Sequence, residues 1–204
     1  GDQVRDQDMN TAVFQELGSN SATMQAARVC DAWGCLPGHT CMTADAIQAY
    51  TQSYLKGVPT YVHLPEEIWP DSWKGIYTQG VDKPVCRLSR ALYGHVDSGG
   101  HWEALNFGAI KEEGFERIPH WPGCFWHPTD KLFLVVYVDD YCMSGPTNKV
   151  TDMYTRLAKR VDMEEPELKE RFLGCEHHIH EKCFVDDQNI LVHGPGVETN
   201  KTAV

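Results

Sequence analysis

The hydrophobic positions of this chain change period several times, and each change predicts an element. Met24, Ala27, Val29 and Cys30 form an apolar face at helical spacing. A helix is therefore expected from about Ala22 to Trp33, capped by Ser21 and ended by Gly34, Pro37 and Gly38. Cys41 to Ala46 reads as a short strand with Asp45 near its end, Tyr50 to Leu55 as a helical turn, and Thr60 to Leu64 as an alternating strand. Residues 65–84, rich in Trp, Pro and Gly, read as an ordered loop before a strand at Val85 to Leu88. Ser98 to Glu113, with Trp102, Leu105 and Ile110, predicts a helix closed by Gly114. Cys124 to Trp126 and Lys131 to Val138 predict a hairpin that turns at His127 to Asp130. A strand at Tyr141 to Ser144, a helix from Thr147 to about Val161, and strands at Phe172 to His180 and Cys183 to Val192 complete the order. Residues 1–20 read as an irregular lead-in and 195–204 as a tail, which leaves one domain over 21–194. This order predicts an α+β fold, an antiparallel sheet with helices on one face.

Composition narrows the setting. The longest apolar run, Leu132 to Val138, is far short of the roughly 20 residues of a membrane helix, so no membrane is expected. The polar N-terminus is not a signal peptide, and the missing initiator Met suggests a fragment or a processed product. Eight cysteines without a CxxC pair fit an intracellular chain, cytoplasmic or nuclear, with reduced and mostly buried thiols. Cys30, Cys35 and Cys41 are expected as small buried residues rather than as a cluster. The 204 residues hold 29 acidic and 18 basic side chains, a formal charge of −11. That balance argues against a free-standing nucleic-acid binder, which gains affinity from Lys and Arg.

The most informative stretch is LFLVVYVDDYCMSG, where a buried strand runs into Asp139 and Asp140. Successive strand side chains point to opposite faces, so two adjacent Asp serve one site only where the backbone turns. Like charges ~4 Å apart repel by ~4 kcal/mol at an effective dielectric near 20, and a divalent cation reverses that sign. Taken alone, such a pair is either a solvated turn or a hard-cation site. Asp45 also ends a short apolar strand, with Tyr50 five residues on. If the two strands are neighbours, three carboxylates converge and can hold two Mg²⁺ ions for in-line phosphoryl transfer.

TADAIQAYTQSYLKGVPTYVHLPE, VCRLSRALYGHVDSGGHWEAL, LFLVVYVDDYCMSG and ERFLGCEHHIH occur in one order, from about Ala22 to Glu181. Together they resemble the reverse transcriptase domain of copia-type LTR retrotransposons. The resemblance implies a palm with part of the fingers that acts as an RNA-directed DNA polymerase. It implies Asp45, Asp139 and Asp140 as catalytic metal ligands for two Mg²⁺ ions, with Mn²⁺ as a substitute. Tyr50 matches the aromatic that excludes a ribose 2′-hydroxyl. Ala46, Asp97 and Ser98 fall in the nucleotide-contacting blocks, and Phe172, Leu173 and Gly174 match the block near the primer grip. The implied partners are an RNA or DNA template with its primer, a deoxynucleoside triphosphate, and further polyprotein domains (fingers, thumb, RNase H). The implied reaction is attack of a primer 3′-hydroxyl on the α-phosphate, with Mg²⁺ lowering the hydroxyl pKa and neutralising the pyrophosphate.

Two features depart from the family. Asp97-Ser98-Gly99-Gly100 stands where copia-type enzymes carry a Gln and a Ser-Pro, and an acid beside a triphosphate is repulsive. Only Arg5 and Arg28 precede Asp45 as cations, where a basic fingers strand is expected. The isolated chain is therefore expected to polymerise poorly. A second reading stays open, an inactive, domesticated or truncated palm that serves as a structural subunit. Cys175, His177, His178, His180 and Cys183 gather soft donors without CxxC or HxxxH spacing, and strand alternation splits them between faces. Burial is expected there before zinc binding. Trp69, Trp73, Trp102, Trp121 and Trp126 are expected as core or loop anchors rather than base-stacking platforms.

Overall fold

The fold is described from a computed structural model. It covers residues 22–201 other than 79 and 186–190, with side chains through residue 177. The chain divides into two compact units, residues 22–49 with 103–201 and residues 50–102.

The first unit is built on a six-stranded antiparallel sheet. Its strands are β1 (His39–Asp45), β4 (Glu116–Arg117), β5 (Cys124–His127), β6 (Leu132–Tyr137), β7 (Asp140–Pro146) and β8 (Glu167–Leu168), in the spatial order β4-β5-β6-β7-β1-β8. The apolar run Leu132 to Val136 is buried throughout, as a central strand requires. Burying each such side chain stabilises the fold by about 1.5–3 kcal/mol.

Helix α1 (Met24–Gly34) buries Ala26, Ala27 and Cys30 in a core shared with Phe133, Val135 and Cys142. Its cap is Thr23, whose Oγ1 accepts from Ala26 N at 3.4 Å. The expected cap, Ser21, lies outside the described residues. Helix α4 (Thr147–Leu157) buries Val150, Met153, Tyr154 and Leu157, an i, i+3, i+4, i+7 stripe. Tyr154 donates its hydroxyl to Met42 O at 3.0 Å, and Thr151 Oγ1 reaches Met42 Sδ at 4.0 Å.

The expected α+β architecture with an antiparallel sheet is present. One detail differs. Cys41 and Cys142 meet α1, whereas Met42, one position along, meets α4, and adjacent strand positions face opposite ways. Helices therefore lie against both faces of the sheet. Strand pairing also runs past residue 194. Strand β10 (Cys175–Val185) pairs with β11 (Leu191–Lys201) and with the short β9 (Arg171–Phe172).

The second unit holds two strands, β2 (Tyr61–His63) and β3 (Val85–Arg87), paired antiparallel, and two 3₁₀ turns at Glu66–Ile68 and Asp71–Trp73. Trp69, Trp73 and Tyr77 pack edge to face, which anchors the loop as expected for its tryptophans. Two helices cross the boundary between the units in sequence, α2 (Ala49–Gln52) and α3 (Ser98–Glu112). Among the described residues no helix is long and apolar enough to cross a membrane.

Candidate active site

The β6–β7 hairpin creates the site's central strain. Tyr137 pairs with Asp140, so Val138 and Asp139 form a two-residue turn. Val138 has φ 58°, left-handed backbone that a β-branched side chain resists. Such conformations cost of order 1–3 kcal/mol and persist where the surroundings enforce them. Here the turn is pinned from outside the hairpin, because Ala46 N donates to Asp139 O at 2.9 Å.

The register of β1 on β7 places Asp45 directly opposite Asp140. Glu164 N donates to Asp45 O at 2.8 Å, so the strand end is held on its other edge as well. Asp45 is exposed and Asp140 half-buried. Burial, then the charges of Asp45 and Asp139, push the Asp140 carboxyl up to about 6, and a hydrogen bond with Asp45 adds to the rise. A cation entering beside it would favour its charged form, the proton leaving to solvent.

Asp45 and Asp140 open into a cleft of about 490 Å³ that is also lined by Thr43, Phe172, Leu173 and Gly174. These last three form the turn of the β9–β10 hairpin. Phe172 pairs with Cys175, and Leu173 (φ 50°) and Gly174 (φ 72°) are both left-handed. That pattern is a type I′ turn, the two-residue connection that matches strand twist. Residues expected near a primer grip and two of the expected metal ligands thus share one cleft. Sequence reasoning did not find the cleft's other acids, Glu164, Glu165, Glu167 and Glu170, which are lined up beside one cation, Arg171. The one signal in the sequence is the acidic run itself, Glu164 to Glu170, which carries no spacing motif.

Asp139 is half-buried and does not line this cleft. Ala46 is buried and bridges to Met163. Tyr50, Asp97 and Ser98 belong to the other unit. There Tyr50 packs on Tyr93 with ring centroids 4.6 Å apart. Ser98 is buried, and its hydroxyl donates to Leu92 O (2.8 Å) and accepts from Leu92 N (3.0 Å). Its geometry is that of a residue that fixes the turn before α3. Asp97 is half-buried, its N–H donating to His95 Nδ1 at 3.2 Å.

Of the expected soft-donor group, Cys175 Sγ lies 3.9 Å from Met24 Sδ. His177 Nδ1 lies 3.3 Å from Asp31 Oδ2. The side chains of His178, His180 and Cys183 lie outside the described residues. Asp31 also takes Lys169 Nζ at 2.6 Å, and both side chains are almost fully buried.

Comparison with known proteins bears on part of these residues. No curated protein and no solved structure matches the chain significantly. The sequence model of the family described as Reverse transcriptase (RNA-dependent DNA polymerase), the copia-type family, matches residues 50–187. That span holds Tyr50, both carboxylates of the hairpin and the Phe172–Gly174 turn, and it begins after Asp45. Since it covers more than half of the chain, the protein belongs to the copia-type reverse transcriptase family.

Proposed function

We propose that this chain is the palm, with part of the fingers, of an RNA-directed DNA polymerase from a copia-type element, its domain spanning residues 21–194. The observation that carries the reading is the direct pairing of Asp45 with Asp140 at adjacent strand ends, beside the strained Val138-Asp139 turn. Asp45 lies outside the family match, so its assignment rests on this register.

The donor set fits divalent metal. Three carboxylates supply hard oxygen ligands, and the charges of Asp45 and Asp139 add to the rise that burial gives Asp140, a repulsion that a cation would relieve. Asp45, Asp139 and Asp140 would hold two Mg²⁺ ions, or Mn²⁺ in their place. When bound, the ions supply an activated primer hydroxyl and charge neutralisation at the leaving pyrophosphate. The protein's own contribution is positional. The pinned turn fixes Asp139 and Asp140, and β1 fixes Asp45 against them. The Phe172–Gly174 turn offers a rigid ledge in the same cleft for a primer end. Tyr50, braced by Tyr93, serves as the wall against a 2′-hydroxyl. Ala46, Asp97 and Ser98 shape the nucleotide's surroundings, Ser98 through the turn it fixes. Template, primer and nucleotide are the substrates, and further polyprotein domains, inside the cell, supply the basic grip.

One observation favours the second reading, a non-catalytic palm that serves as a structural subunit. Glu164, Glu165, Glu167 and Glu170 line the cleft, and like charge opposes a phosphate backbone. The test is addition of one deoxynucleotide to a primed RNA template with Mn²⁺, alongside Mn²⁺ binding by electron paramagnetic resonance. The polymerase reading expects slow addition that disappears in Asp45→Asn and Asp139→Asn. Tight Mn²⁺ binding without any addition, under saturating nucleotide, supports the structural reading.

A further inference from the structure

Behind the carboxylates, the same sheet face carries a second group of ligand side chains that the polymerase reading does not use. Cys30 on α1, Cys41 on β1 and Cys142 on β7 bring their sulfurs together. Cys30 and Cys41 are 3.8 Å apart, Cys41 and Cys142 3.5 Å, and Cys142 and Cys30 3.4 Å. Cys30 and Cys142 are fully buried and Cys41 is half-buried. Among the described residues this is a group of three ligands whose donor atoms all lie within 4.8 Å of one another.

The triangle has the dimensions of a metal site. A tetrahedral zinc ion with Zn–S near 2.3 Å sets its sulfurs about 3.8 Å apart. The observed edges are at or just inside that figure, so closure requires shifts of a few tenths of an ångström. Oxygen is at hand for the fourth vertex, since Ser144 Oγ lies 3.1 Å from Cys30 Sγ. A disulfide between the two strand cysteines, Cys41 and Cys142, suits the geometry less well. Cys41 is paired with Ser144 in register, so Cys142 is its diagonal neighbour. Diagonal neighbours on paired strands sit about 7–8 Å apart, beyond the usual span of about 4.4–6.8 Å between Cα atoms of a disulfide.

We propose that Cys30, Cys41 and Cys142 form a structural site for one thiophilic divalent ion of the zinc type. On binding, three S–H bonds release their protons to solvent and three S–Zn bonds form, leaving a net charge of −1. The Lys169 ammonium also stands near the sulfurs, already paired with Asp31 at 2.6 Å. The ion would tie α1 to the two strands that end in Asp45 and Asp140. Cys142 stands two residues from Asp140, and Cys41 four residues from Asp45, on the same strand faces. Soft sulfur donors here and hard oxygen donors in the cleft would keep the two kinds of metal apart.

The test is titration of the reduced, metal-free 204-residue protein with Cd²⁺, reading the sulfur-to-cadmium charge-transfer absorbance, and with Zn²⁺ in competition. The expected result is a band that saturates at one equivalent per chain and is displaced by Zn²⁺, but not by Mg²⁺ or Mn²⁺. Cys142→Ser and Cys41→Ser should each weaken binding at least 100-fold. Cys124→Ser, in the same core but outside the triangle, should leave it unchanged. Cys41 is half-buried, so its variant keeps the test sound if Cys142→Ser fails to fold. A folded, reduced protein without the one-equivalent band overturns the proposal, as does a band that survives in the Cys41→Ser variant. The sulfur signature is independent of the carboxylate cleft, so failure here leaves the polymerase reading untouched.

Discussion

Glu113 and Asp140 are both sheltered acids of the same unit, and the fold treats them in opposite ways. Glu113, at the end of α3, is buried, which would push its carboxyl up. Hydrogen bonds from Arg160 and Arg156 outweigh that and hold it below its ordinary value. Asp140 is also pushed up by burial, but its neighbours are Asp45 and Asp139, and they push it further, to about 6. Asp31 also has a cation directly on it, Lys169 Nζ at 2.6 Å. Cations thus sit directly on Glu113 and Asp31, whereas the charges that act on Asp140 are those of two other acids, although Arg171 lines the same cleft. Stability alone would not arrange charges this way.

The largest effect that tests this contrast is expected at Asp31 and Lys169. Removing one partner of a buried ion pair strands the other, at a cost of about 3–5 kcal/mol. Lys169→Met should therefore lower stability in urea by that amount. Double replacement with Asp31→Leu should recover much of it. A small effect from the single variant would mean that the pair is well hydrated, and the contrast would weaken.

At Glu113 the expected cost of Glu113→Gln is about 1–2 kcal/mol, because its arginine partners are partly exposed. The sign with pH follows from the lowered carboxyl. Its stabilisation is full above the ordinary value of 4.5 and is lost as pH falls through the folded value. The gap between wild type and variant in urea should be widest at neutral pH and should close in acid.

Asp140→Asn should act in the opposite direction. A raised carboxyl favours the folded state fully below the unfolded value of 3.8, and that advantage is lost as pH rises through about 6. Above pH 6 the metal-free wild type carries a repulsion that the amide lacks. The variant should be more stable at pH 8, by on the order of 1 kcal/mol after solvent screening. Near pH 4 the difference should shrink. Added Mn²⁺ should raise the melting temperature of wild type and do little for the variant. If Asp140→Asn destabilises the metal-free protein at pH 8, the carboxylates are not in conflict and the contrast with Glu113 fails.

The sequence made some of this legible and hid the rest, for physical reasons. The strand Leu132–Tyr137, expected over Lys131 to Val138, could be read because a central strand needs an unbroken apolar run. The two Asp beside it could be read because acids interrupting such a run are costly. Asp45 could be named but not placed, since its register on β7 is set by pairing between distant segments. The β8 strand left no pattern, because two residues have no period. Lys169 sits in a run, Glu-Leu-Lys-Glu-Arg, that reads as solvent-facing, yet it is buried. The sulfur triangle was missed for a similar reason. Cys30 and Cys41 are close in sequence, but Cys142 joins them only through the β1–β7 pairing and the packing of α1. Spacing motifs find ligands on one segment and are blind to ligands gathered by a sheet.

The smallest expected effect tests whether the site's strain lies in the backbone as well as in its charges. Val138 holds a left-handed conformation that costs a side-chain-bearing residue roughly 1–2 kcal/mol. Glycine removes that cost but loses about 0.5–1 kcal/mol through its freer unfolded chain. Val138→Gly should therefore stabilise the protein by only about 0.5 kcal/mol, and Val138→Ala, which keeps a Cβ, should not stabilise it. The gain should come with a loss, because a looser turn holds Asp139 and Asp140 less firmly against Asp45. Mn²⁺ affinity should fall in Val138→Gly while thermal stability rises slightly, which a residue serving only the fold would not show. If affinity and stability rise together, the turn's strain has no part in holding the carboxylates, and the charge arrangement alone defines the site.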